Sequence, residues 1–460
     1  MISDPRNLRQ ISIPGLDTAA GWNAFAKRVN SLWKMRAEQP LFLTKGESWA
    51  LSGEVTAAPT GPFDAPIYRV FVDRGDGWDW GSTDSPRAFY LAGTFTSYGG
   101  ATALRAAKFY KSPTTSRTTF SSRFAALNQF NGTTNFIQTT RDGNIIYGAA
   151  QARSRNGAGT NFAWILDPTS GDLVGGFNAV SSGAFLTNQL SSIACVDGYL
   201  MALNPIAANI YDLSTGSATT GSSVENMHNV SGDASSFYLT SRRVQTLGVT
   251  DPKAFKKFNG LSLDAEWATN AGVGSGVDMF SQALAQKQAW NASDETKLLY
   301  SVATNEFSGT SFDWAGTPYF IGSGTDGAVL GVTSKGEFYL SFGFTRDSSV
   351  AGCSPRLEMY CVDPDGILYF GGGVNNLVSS VVPNYVTPQR LYSYYPNLAY
   401  FETFDGFNGP VRDCQFFCEN SQGIRQFIVV GDFTEYLGES APYMVFIDEG
   451  GNRLTDLEWL

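Results

Sequence analysis

Residues able to do chemistry are sparse in this chain and seldom adjacent. The one histidine, His228, sits in Glu225-Asn226-Met227-His228-Asn229. A catalytic imidazole needs a nucleophile and an orienting acid brought to it by the fold. No local pattern supplies either, so His228 reads as a loop residue. One histidine also excludes a zinc site built from several imidazoles of a single chain. The densest cluster of acids and aromatics is Asp73-Arg74-Gly75-Asp76-Gly77-Trp78-Asp79-Trp80. Here Trp78 and Trp80 can stack on sugar rings while Asp76 and Asp79 accept hydroxyl hydrogen bonds, making these four the candidate glycan or surface contact. The carboxylate spacing is not that of an EF-hand calcium loop, and Arg74-Gly75-Asp76 is an adhesion tripeptide that chance supplies often. A turn connecting two structural repeats, capped by Asp and packed by Trp, is the plainer reading. Glu402 and Asp405 form a second acid pair. A glycosidase needs two carboxyls roughly 5–10 Å apart across a cleft, and here too a turn is favoured.

The five cysteines, Cys195, Cys353, Cys361, Cys414 and Cys418, are too few and too scattered for a disulfide framework. Cys414 and Cys418 lie on a strand, where a four-residue spacing points both the same way about 13 Å apart. They read as buried structural thiols. The sequence has no Walker loop and no Gly-rich strand-to-helix turn. The expectation is therefore a protein that is not an enzyme and uses no nucleotide, metal or other cofactor.

The elements that position these residues follow from composition. Of 460 residues, 43% are hydrophobic, 14% aromatic and only 16% charged, against about 25% charged in an average soluble domain. This excludes helical bundles and coiled coils as the main architecture. A net charge of −10 argues against a broad grip on nucleic acid or anionic membrane. No apolar run approaches a membrane span, and no apolar segment follows Met1-Ile2-Ser3-Asp4. The chain is expected to be made in a cytoplasm without signal-peptide export and not to insert into membrane.

One segment predicts a helix: Asp17 or Thr18 can cap a run over about 18–36, with Trp22, Phe25, Val29, Leu32 and Trp33 on one face. That stripe is the candidate partner-docking face of an N-terminal extension, residues 1–40. Residues 41–460 read as short strands rich in Val, Ile, Tyr, Phe and Thr, punctuated by Gly, Asn and Asp. A hairpin recurs with a Gly or Asp turn, clearest at Asp142-Gly143, Asp197-Gly198, Lys335-Gly336 and Asp365-Gly366, with weaker copies around Gly46, Ser85, Asp233, Asp294 and Gly423. The mean step of about 47 residues is that of a propeller blade. A third strand often ends in another turn, as at Pro168-Thr169-Ser170-Gly171, Leu213-Ser214-Thr215-Gly216, Asn259-Gly260 and Glu449-Gly450-Gly451-Asn452. The fold class is all-β, a β-propeller of about seven blades with eight as the next count. The step from Gly336 to Gly366 is too short for a whole blade. Recognition loops are expected over 151–161, 214–235 and 373–389.

Phe89-Tyr90-Leu91-Ala92-Gly93-Thr94-Phe95-Thr96-Ser97-Tyr98-Gly99-Gly100, followed by Leu104-Arg105-Ala106-Ala107-Lys108-Phe109, resembles the delta-60-repeat family of bacterial and phage propeller proteins. Phe427-Ile428-Val429-Val430-Gly431-Asp432-Phe433-Thr434-Glu435-Tyr436-Leu437-Gly438 repeats the pattern, and Lys253–Asp264 is similar to its later half. Fold does not carry function. Polar low-charge composition, no export signal and the distinct N-terminal segment together point to a non-enzymatic virion component. The expected role is a tailed-phage tail protein, as nozzle, fibre-attachment or accessory part, that binds other virion proteins as a symmetric oligomer and contacts a host-surface glycan. The alternative is a glycan-binding or glycan-cleaving propeller.

Overall fold

A computed structural model of the chain describes residues 62–74, 86–112, 114–121, 130–134 and 400–459 continuously, and between 136 and 395 the strands with several of their turns. The chain divides at Leu51/Ser52 into two units, and every described residue lies in the second. The helix expected over 18–36, with Trp22, Phe25, Val29, Leu32 and Trp33, lies outside the described residues, as do Asp76, Trp78, Asp79 and Trp80.

All described elements are strands; apart from three short hairpins, Ser97–Thr102, Ser311–Phe320 and Glu435–Ser440, they fall into seven successive antiparallel meanders. The first comprises Ile67–Asp73, Ala88–Gly93, Ala106–Lys111 and Thr118–Phe120; the second Phe136–Thr139, Ile145–Arg155 and Ala158–Leu166. The third is Ser192–Val196, Tyr199–Leu203, Ala208–Asp212 and Ala218–Gly221, and the fourth Met227–Gly232, Ser236–Ser241, Phe255–Asn259 and Ser262–Leu263. Ala289–Asn291, Leu298–Thr304, Gly327–Val332 and Phe338–Arg346 form the fifth, and Leu357–Val362, Leu368–Val378, Gln389–Tyr395 and Tyr400–Phe404 the sixth. The last is Val411–Glu419, Arg425–Gly431, Met444–Asp448 and Arg453–Leu454. The fifth and sixth share an edge, with Gly343 opposite Val378, and so count as one continuous sheet. Leading strands pack side by side in chain order from the first sheet to the fourth and from the fifth to the seventh, and the seventh packs onto the first. This is the β-propeller arrangement, in which sheets too thin to bury a face alone stack on one another.

The two kinds of turn have separate jobs. The turns at Gly143, Gly198, Asp365-Gly366 and Gly423 lie between first and second strands; Ser85, Asp233 and Asp294 fall in the same intervals of the chain but outside the described residues. The turns after Asp167, Asp212, Asn259 and Asp448 follow third strands. Gly336 is the exception: its hairpin joins the third and fourth strands of the fifth sheet. The step to Gly366 is short because it runs from the end of one sheet to the start of the next. Residues 151–161 are largely the extended ends of Ile145–Arg155 and Ala158–Leu166 rather than a loop, and the strand Leu368–Val378 runs into 373–389.

Inner strands such as Ala88–Gly93 and Arg425–Gly431 are buried on both faces, which explains their near-continuous apolar runs. In Ala88–Gly93 alternate side chains serve two cores: Phe89 and Leu91 face the seam with the last sheet, while Ala88, Tyr90 and Ala92 face Ile145, Tyr147 and Trp164 of the second.

Candidate functional site

The repeated segments build one local device twice. Phe63-Asp64-Ala65-Pro66-Ile67 leads into the first sheet as Phe407-Asn408-Gly409-Pro410-Val411 leads into the last. Asp64 accepts from the N–H groups of Thr96 (2.7 Å) and Ser97 (3.0 Å) and from the Thr96 hydroxyl. Burial would raise its pKa, but those hydrogen bonds outweigh it and hold the carboxyl below the usual range. Asn408 does the same for Thr434 (2.8 Å) and Glu435 (3.0 Å). A Cβ at Gly93 would lie 2.3 Å from the Pro66 carbonyl oxygen, and one at Gly431 2.2 Å from that of Pro410. The Gly-Xaa-Phe-Thr pattern is thus explained: glycine lets the connector cross the strand, and Phe95 or Phe433 fills the core beneath. In each copy a short hairpin, Ser97–Thr102 or Glu435–Ser440, brings Tyr98 or Tyr436 onto the incoming Phe63 or Phe407.

The seam between the last and first sheets is tied by buried polar groups. Fully buried Asp413 accepts from Val70 N–H at 3.1 Å. Arg69 donates to the Arg412 carbonyl at 2.7 Å, and Arg74 to those of Phe416 (3.0 Å) and Phe417 (2.6 Å). The C-terminal tail completes the tie. Gln426 and Glu458 exchange two hydrogen bonds, Trp459 N–H donates to Ser116 at 2.8 Å, and Thr118 donates to Asp456. The Trp459 ring packs edge-on to Phe417 at 4.8 Å.

Between the sixth and last sheets lies a concentration of charge that sequence reasoning missed. Arg425 donates to Asp363 (2.7 Å), Asp365 (2.9 Å) and Glu449 (2.5 Å). The Asp363 side chain is wholly buried. Its other oxygen accepts from the N–H groups of Asp365 and Ile367. Burial lifts its pKa to about 6 against the opposing pull of Arg425. Burial would lower the Arg425 pKa, but Asp363 and Glu449 more than offset this and raise it. The signal available was Asp363-Pro364-Asp365-Gly366, which by itself reads only as a turn.

Of the residues singled out from sequence, His228, Glu402, Asp405 and four of the cysteines lie among the described strands and turns. Asp73 ends a first strand, so the 75–85 segment connects strands within one sheet rather than two repeats. His228 lies in the strand Met227–Gly232 at a register shift, not in a loop. Glu402 lies in the strand Tyr400–Phe404 opposite Ser393 and accepts from Tyr395 at 2.7 Å; Asp405 is exposed beyond the strand end. Burial, reinforced by Glu402, pushes Tyr395 up to about 12. Cys195, Cys361, Cys414 and Cys418 are buried and outside any disulfide. Cys414 and Cys418 face different cores, because a bulge at Phe417 inserts one residue and reverses the alternation. Among the described residues no cluster of three or more His, Cys, Asp or Glu is placed to hold a metal ion.

An open cavity of about 310 Å³ lies at the outer side of the seam, lined by Phe63, Tyr98, Met444, Phe446, Arg453 and Thr455 among others. Burial, with Asp456 nearby, lifts the Tyr98 hydroxyl to about 12.

No family model matches the chain, and no curated protein matches it. Among solved structures, it is similar to an oligogalacturonate lyase from Vibrio parahaemolyticus at 10% identity, covering 85% of this chain and 93% of that one, with a TM-score of 0.46. It is also similar to the extracellular domain of a one-component system from B. thetaiotaomicron (8% identity, 82% of this chain, 40% of that one, TM-score 0.41). A eukaryotic initiation factor is a third (10%, 88% and 93%, TM-score 0.37). The chain thus spans less than half the length of the extracellular-domain structure. Likeness at these identities extends to no activity.

Proposed function

We propose that this chain is a non-enzymatic structural and interaction propeller, serving as a tail component of a tailed-phage particle that joins subunits or contacts the host surface. The observation that supports it is the use of the buried acids. Asp363 and Asp413 are both engaged across a boundary between sheets, and the C-terminal tail locks the last sheet to the first. Charges spent this way favour a rigid scaffold over a reactive site. The polar, weakly charged composition fits a protein that works outside a cell. Electron microscopy and light scattering of the purified chain test the reading, which expects a symmetric oligomer. A monomer at all concentrations that cleaves oligosaccharides would overturn it.

A further inference from the structure

The seam between the last and first sheets is tied at two levels. Along the leading strands, Val411–Glu419 and Ile67–Asp73, Asp413 accepts from Val70 N–H and Arg69 donates to the Arg412 carbonyl. At the fourth strands, Arg453–Leu454 and Thr118–Phe120, residues 455–459 reach from one sheet to the other. The Gln426 side chain donates to the Glu458 carbonyl (2.6 Å) and accepts from Glu458 N–H (2.9 Å). Thr118 donates to Asp456, and Trp459 N–H donates to the carbonyl of Ser116, in the exposed turn before Thr118–Phe120.

This grip differs in kind from that of a strand. Residues 455–459 are not strand, and their bonds run to side chains and one turn carbonyl. Leu457 and Trp459 are buried in the same core as Phe89, Phe109 and Ile428. Those three belong to antiparallel ladders and are uncovered only by moving a sheet. Lifting the segment costs two buried side chains and a few hydrogen bonds but breaks no ladder. Local opening is easiest where cooperative backbone pairing is least.

A thiol lies beneath the segment. The bulge at Phe417 turns Cys418 into this core, where it donates to the Glu458 carbonyl at 3.2 Å and the Gln426 amide nitrogen lies 3.5 Å from its sulfur. Cys414, on the same strand, faces the core shared with the sixth sheet. Two cysteines four residues apart therefore sense different seams.

We propose that residues 455–459 form a strap that opens and closes as a unit while the sheets stay folded, uncovering Cys418 and the outer part of the last-to-first seam and leaving the Asp413–Val70 tie in place. The ring then yields first at this seam, from its fourth strands inward. The strap goes beyond the interaction role proposed above and does not depend on it, so a failed oligomer test leaves it standing.

The test labels the full chain with iodoacetamide under native conditions and reads Cys414 and Cys418 separately by tandem mass spectrometry, each rate divided by that of the same thiol in the unfolded chain. Cys418 should react at least about tenfold faster than Cys414. Its rate should change little with low urea, because the strap exposes little surface, while that of Cys414 climbs with urea as global unfolding does. Amide exchange at Glu458 and Trp459 should follow Cys418, with Val70 at least about tenfold slower. Trp459→Ala should speed Cys418 labelling at least about tenfold. Thr118→Val, which removes one hydrogen bond, should speed it at least about twofold and carries the comparison if Trp459→Ala does not fold. Val429→Ala, in the core that Cys414 faces, should speed Cys414 and leave Cys418 unchanged. Any of three results would overturn the proposal: equal normalised rates with one urea dependence, an unchanged Cys418 rate in folded strap variants, or Val70 exchange as fast as that of Trp459.

Discussion

Replacing Asp363 with Asn isolates the contribution of one buried carboxyl to the pH dependence of stability. Burial raises the folded-state pKa from 3.8 to about 6. A raised pKa means that the folded chain binds the proton more tightly than the unfolded chain does. The associated stability is therefore fully present below about pH 3.8 and is lost as pH rises through about 6. At 1.36 kcal/mol per pKa unit the full effect is about 3 kcal/mol, of which about 2 kcal/mol falls between pH 4 and 7.5. The side chain is wholly buried, so solvent screening takes little away. Asn keeps an acceptor for the Asp365 and Ile367 N–H groups but cannot titrate. Denaturant unfolding of both proteins across that range, with amide exchange at Ile367 as a local probe, should show wild type losing about 2 kcal/mol relative to Asp363→Asn as pH rises. A difference that is flat with pH, or that grows in favour of wild type, would refute the assignment of burial as the dominant cause.

Other expectations follow from the same packing. Trp459→Ala should cost about 3–5 kcal/mol by thermal or denaturant unfolding, because it empties the clasp against Phe417. Trp459→Phe should cost far less, since the buried indole N–H has no hydrogen-bond partner. Arg425→Met should destabilise by about 3–5 kcal/mol by leaving the Asp363 charge buried and uncompensated, and adding Asp363→Asn should recover much of that; additive losses would contradict it. Gly431→Ala, with its new Cβ against the Pro410 carbonyl oxygen, should lower the melting temperature sharply. Leu437, 56% exposed with φ near 51°, should accept Gly with a gain of up to about 1 kcal/mol, and a loss would show that its side chain supports the hairpin.

Much of the architecture was legible because its causes are local. Asp-Gly and Asn-Gly turns supply the backbone angles a hairpin needs, so the turns after first and third strands could be read directly. Runs such as Ile428-Val429-Val430 imply strands covered on both faces. The Gly336 hairpin joins third and fourth strands rather than first and second, which turn composition does not reveal because the same residues serve both positions. Cys418 faces a different core from Cys414 because a single bulge reverses alternation, and no residue type announces it.

The candidate site was another matter. Arg425 meets Asp363 across 62 positions and Asp413 meets Val70 across 343. Each looks ordinary in its own segment, a charged residue near a turn or within a strand. The sequence determined an all-β chain of repeated hairpins with low charge. Which acids would be buried and where the last sheet would meet the first were decided only when the sheets packed, because these depend on partners that backbone propensity and residue spacing do not specify.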